Sequence, residues 1–169
     1  MRGRIASSVI VAAAVIIGTA GCNLVAPQAT TYHYFASDGV SSDLGDVALR
    51  NAVVVTDKGK LGNLVVTIVN SGSSDAEITV QHESSSGKKN VTIDAPAHET
   101  TIFGPADGEQ VLLRDLDAEP GSLLPVYFQY GDESGKELLV PVLDGGLPEY
   151  ADLLPIDVVK NAIGDIVAQ

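Results

Sequence analysis

Tryptophan is absent from this chain, cysteine and methionine occur once each, and 169 residues carry only three phenylalanines. Each scarcity excludes something. A lone cysteine, Cys22, cannot close a disulfide within the molecule. A lone methionine, Met1, cannot furnish the convergent soft sulfur ligands that select Cu(I). Without tryptophan and with few phenylalanines, a carbohydrate-stacking platform is not expected. Positive charge is scarce as well: ten Lys and Arg stand against 22 Asp and Glu, a net charge of −12. Nucleic acid and anionic lipid headgroups repel such a surface. No Gly-x-Ser-x-Gly, P-loop or His-Glu-x-x-His pattern occurs. The chain is therefore not expected to be an enzyme or to carry a cofactor.

What is present begins at the N-terminus. Arg2 and Arg4 precede an apolar run from Val9 to Ile17, followed by Gly18-Thr19-Ala20-Gly21-Cys22. A basic start, an apolar stretch of about 7–15 residues and a small-residue cleavage site make a secretory signal. The run is shorter than the roughly 20 residues a membrane-spanning helix needs. Thr19-Ala20-Gly21-Cys22 resembles the lipobox of bacterial lipoproteins, although Thr19 stands where Leu, Val or Ile is usual. The resemblance implies cleavage before Cys22, diacylglyceryl lipidation of its sulfur, and export to the outer face of the bacterial cytoplasmic membrane. Two acyl chains hold stably where one is marginal. Loss of residues 1–21 leaves 148 residues, with eight basic against 22 acidic and a net charge of −14. The expected partners are thus the membrane, reached through lipid, and an unnamed envelope protein or ligand, with nucleic acid excluded.

Residues 22–44 read as a polar, lipid-anchored tether, interrupted by Tyr32-His33-Tyr34-Phe35, whose aromatic area is expected to pack on the domain. From Gly45 the pattern turns to strand. Val47 to Val55 is β-branched and closed by the turn cluster Asp57-Lys58-Gly59-Lys60. Leu64 to Val69 is apolar on both faces, as a central strand should be. Ala76, Ile78 and Val80 alternate with Glu77, Thr79 and Gln81, the mark of a half-buried strand. Val91–Ile93, Thr100–Phe103, Val111–Leu113, Leu124–Tyr130 and Leu138–Leu143 follow, separated by Gly-, Ser- and Asp-rich turns. About eight strands spaced in this way predict an all-β antiparallel sandwich of Ig-like or cupredoxin-like build over 45–144. Its expected core includes Leu64, Val66, Ile68, Ile78, Val80, Val126 and Phe128. In the tail, 145–169, Pro155, Ile156, Val159, Ile163 and Val167 have helical spacing, which predicts a short helix or a frayed end.

Leu49-Arg50-Asn51-Ala52, Val69-Asn70-Ser71, the turn from Phe103 to Gly108, and Val140-Pro141-Val142 occur in order behind the lipoprotein leader. Together they resemble small actinobacterial envelope lipoproteins of the Lpq type. That group is similar in fold to the periplasmic PCuAC copper chaperones, β-sandwiches that hold copper with spaced methionines and histidines. The resemblance implies a sandwich, and a metal-handling role as the alternative to a non-catalytic contact role. The methionine ligands have no counterpart here, so only His33, His82 and His98 remain as metal candidates. Their separations, 49 and 16 residues, match no short ligand motif. His82 either continues the inward face of Ala76, Ile78 and Val80 or ends the strand, and a structural or surface role is expected for each histidine. Asp115-Leu116-Asp117 with Glu119 lacks the spacing of a calcium loop and reads as an acidic turn. Ser84-Ser85-Ser86 reads as a polar loop without a base to activate it.

Overall fold

The computed structural model describes residues 2–25 and 36–156. The chain divides into two compact units, 1–34 and 35–169. In the first, one helix, α1, spans Arg2–Val25 and takes in the apolar run from Val9 to Ile17 and Cys22. No helix among the described residues is long and apolar enough to cross a membrane. The aromatic cluster at 32–35, with His33, lies outside the described residues.

The second unit is all-β. Its strands are β1 (Val40–Leu44), β2 (Val47–Thr56), β3 (Leu61–Asn70), β4 (Ala76–Ser84), β5 (Gly87–Ala95), β6 (Thr100–Phe103), β7 (Val111–Arg114), β8 (Leu123–Tyr130) and β9 (Lys136–Leu143). They form one curled sheet in the order β5-β4-β8-β9-β2-β3-β6, with β1 beside β2 and β7 beside β3. The β5-β4-β8-β9 half packs over the half built around β2 and β3, and one apolar core fills the space between. All seven residues expected in the core are buried there.

Two features depart from the sequence reading. First, the folded part begins before Gly45: residues 40–44, assigned to the tether, are strand β1, which turns into β2 through Gly45-Asp46. Gly45 takes φ +54, a conformation cheap for glycine, and that tight turn brings the otherwise polar β1 into pairing. Second, the sheet is not antiparallel throughout. Val54 and Val55 pair in parallel with Val142 and Leu143, and this short ladder joins the two halves.

Strand β2 also carries a bulge. Val47 and Leu49 face the core, and after Asn51 at φ +51 the inward set becomes Ala52 and Val54. One extra residue in a strand shifts its alternation by one. The register against β3 slips at the same place, between Arg50 and Val53. Asn51 anchors the bulge by accepting the Gly39 N–H on Oδ1 and donating its own N–H to Ser41 Oγ.

Strand β3 sends Leu64, Val66 and Ile68 into the core. On its other face Asn63 is fully buried, and its Nδ2 donates to the carbonyls of Gly104 and Leu153 at 2.7 and 2.8 Å. The chain after β9 therefore returns across the outer face of β3. Gln110 fastens it again, donating to the Leu154 carbonyl and accepting the Ile156 N–H. Gly104, at φ +108, lies against Val65, where an added Cβ would approach backbone to 2.8 Å. The short helix α2 (Pro148–Ala151), started by Pro148, falls within this returning segment. The helix expected after Pro155 lies outside the described residues apart from its first positions.

Phe128 sits at zero exposure on β8, opposite Val80 of β4. A Phe128→Ala change should cost about 3–5 kcal/mol by chemical denaturation, the range for deleting a buried ring. A midpoint equal to wild type would remove Phe128 from the core.

Candidate functional site

His82 is the one titratable side chain buried among the described residues, at 2% exposure. The alternation of β4 puts it there: Ala76, Ile78, Val80 and His82 share one face, and that face is the core. Its Nε2 lies 3.1 Å from the carbonyl of Arg114, the last residue of β7 in the facing half. A carbonyl only accepts, so Nε2 carries a proton and donates it there. Nδ1 has no hydrogen-bond partner. Around this contact Lys89 pairs with Asp115 at 3.3 Å, and Ser85 donates its N–H to the Asp115 carbonyl. His82 thus ties the β4–β5 hairpin to the end of β7. It is interior, not a surface residue.

The structure does not bring His82 and His98 together, and His33 lies outside the described residues. His82 pairs with Lys89 of β5, whereas His98 is exposed in the turn after β5 ends at Ala95, at φ +59. Six residues of extended strand separate those registers, about 20 Å. No group of three or more His, Cys, Asp or Glu among the described residues could hold a metal ion. His82 offers one open nitrogen and already spends the other on a backbone carbonyl. A copper site of methionines and histidines does not fit these residues.

The other sequence candidates resolve into structural roles. Asp115, Asp117 and Glu119 alternate outward with buried Leu116 and Ala118, whose N–H groups bond the carbonyls of Lys60 and Gly59. The carboxylates are the wet side of a docked segment, and Asp117 also pairs with Lys60. They do not converge on a point. Ser84, Ser85 and Ser86 build the β4–β5 turn, where the Ser84 hydroxyl donates to the Gly87 carbonyl at 2.6 Å. Asn90 sits on β5 and accepts from Gln81 Nε2.

Sequence reasoning did not find two features. One is a depression of about 530 Å³ across β4, β5, β8 and β9, lined by Gln81, Glu83, Lys88, Pro125, Tyr127 and Glu137 and reached by His82. Its residues come from four strands, so no local motif announces it. The other is a link between chain ends: the Tyr150 hydroxyl of α2 donates to Asp38, just ahead of β1. That hydrogen bond, helped by desolvation and by the charges of Asp38 and Glu149, pushes the Tyr150 phenol up from 10.0 to about 12.

No family model matches the chain, and no curated protein matches it. Among solved structures, the fold is similar to that of the apo PmoF2 PCuAC domain, with a TM-score of 0.50 and 12% identity. The match covers 64% of this chain and 98% of that domain. The chain therefore has a PCuAC-like sandwich fold.

Because the folded state holds the Tyr150 proton more tightly than the unfolded chain does, the Tyr150–Asp38 link is fully present below pH 10 and is lost as pH rises toward 12. An ultraviolet titration should show one tyrosine ionising late. Asp38→Asn should bring that step back toward 10, and an unchanged titration would show that the link does not form in solution.

Proposed function

We propose that this chain is a non-catalytic lipoprotein of the bacterial envelope, of the Lpq type, held by lipid on Cys22 and acting through contact with a protein or ligand. One observation carries the reading: an apolar leader with two arginines runs into Thr19-Ala20-Gly21-Cys22 at the spacing that signal cleavage and lipidation require. The domain behind it supports a contact role. Its buried polar side chains, Thr56, Asn63, Asn70 and His82, each make at least one hydrogen bond within the fold, with Asn63 Oδ1 and His82 Nδ1 left unpartnered. The acidic surface calls for lipid in place of a basic patch to hold a membrane. The test is fractionation with mass spectrometry. Wild type should enter the membrane fraction with a diacylglyceryl group on its N-terminal cysteine, and Cys22→Ser should not. A fully membrane-bound Cys22→Ser protein would overturn the anchor.

A second reading, metal handling on a remade site, is favoured by the PCuAC-like fold and by the unpartnered Nδ1 of His82. It ranks below the first because His82 has no converging ligands among the described residues. Full-length Cys22→Ser protein, which lacks the thiol, should take up no stoichiometric Cu(I) against a competing chelator. Tight uptake that disappears in a folded His82→Gln variant would put metal handling first.

A further inference from the structure

We infer that the outer face of β8 and β9 is a docking surface for a basic segment of a partner protein, which lies along an apolar stripe on that face. The inference rests on the contact reading above and supplies the partner's chemistry.

A sheet with one face in water normally alternates apolar-in with polar-out. Half of the β5-β4-β8-β9 layer obeys: β4 turns out Glu77, Thr79, Gln81 and Glu83, and β5 turns out Lys88, Asn90, Thr92 and Asp94. The other half does not. Strand β8 turns out Leu123, Pro125 and Tyr127, and β9 turns out Leu139 and Pro141. Leu123 is 57% and Leu139 52% exposed. The register joins these five side chains into one stripe, since Leu123 lies opposite Pro141 and Pro125 opposite Leu139. Directly opposed side chains on paired strands touch, so the stripe runs unbroken for about 14 Å along β8. Among the described residues, the returning segment meets the outer side of β3 at Asn63, and Leu123 and Leu139 stay exposed. A contiguous exposed apolar strip on one half of a sheet marks an interaction site, where scattered apolar residues would not.

Charge names the occupant. At one end of the stripe the 530 Å³ depression beside Tyr127 holds Glu83 and Glu137, with Lys88 as its one cation. Neither glutamate is in an ion pair among the described residues. At the other end Asp144 stands beside Leu143 and Leu147. The stripe is therefore closed at both ends by carboxylates, on a chain of net charge −12. A second copy would set those carboxylates against their own duplicates, and anionic lipid meets the same repulsion. A segment with an apolar middle and Lys or Arg toward its ends satisfies both the stripe and its ends. An arginine there can also stack on the Tyr127 ring.

The test places a photo-crosslinking amino acid at Leu139 of the full chain in producing cells, with matched positions at Thr92 on the polar half and Ser73 in a loop. Adducts are mapped by mass spectrometry. An adduct at 139 and not at 92, mapped to an apolar segment bearing Lys or Arg, is the expected result. Glu83→Gln with Glu137→Gln should lower its yield about fivefold, the scale of exposed ion pairs. Glu77→Gln with Asp94→Asn, the same charge change on the polar half, should leave it unchanged. Equal loss in both pairs, an adduct to lipid, to an acidic segment or to a second copy of this chain would each overturn the inference. Adducts at 92 or 73 alone would overturn it and leave the contact reading standing; adducts at none of the three would defeat both.

Discussion

Strand β3 is buried along its inner face and, at Asn63, on its outer face as well, and much of the domain follows from that. Its inner residues, Leu64, Val66 and Ile68, meet the facing layer in the common core. Its outer face carries a buried amide, Asn63, which would be costly there without partners. The Gly104 and Leu153 carbonyls supply them for its Nδ2, though not for Oδ1, so the turn after β6 and the segment after β9 are held at one point. Burial of Val53 and Val55, which lie outside the inter-layer core, belongs to the same covered side. Asn70 repeats the device at the strand's other end, donating to the Ser74 and Ala95 carbonyls. An asparagine at each end thus sets the turns that frame the central strand.

The same economy of polar groups gives structural roles to the polar clusters weighed in the chain. The Ser84 hydroxyl closes a hairpin, the acids from Asp115 to Glu119 edge a docked segment, and the His82 Nε2 joins the two layers. A PCuAC-like sandwich accommodates these structural uses without change of fold. Fold and site are separable, because the core needs only the alternation of apolar residues, while a metal needs several donors at one point.

Much of this was legible in the chain itself, for identifiable reasons. Alternation in Ala76–Gln81 and the apolar run Leu64–Val69 are local patterns with a period of two, and each became the strand it spelled. The same period placed His82 on the inner face. Strand β1 escaped because Val40–Leu44 is short and polar, and its pairing depends on β2, on the turn at Gly45 and on the bulge at Asn51. The parallel ladder of β2 with β9 escaped because its partners are almost 90 residues apart, and nothing local marks such a contact.

Sequence by itself determined the leader pattern ending at Cys22, the acidic surface, the sandwich class and the apolar faces of most strands. Composition, charge and period are properties of neighbouring residues, so they can be read without a fold. Tertiary structure alone decided that His82 pairs with Lys89 while His98 lies past the end of β5, registers about 20 Å apart along the strand. It alone brought the segment after β9 onto β3 at Asn63 and, among the described residues, left Leu123 of β8 and Leu139 of β9 exposed. Which apolar face is covered depends on where the chain returns after β9, and that path is fixed by hydrogen bonds from Asn63 and Gln110 to residues some 40 to 90 positions away.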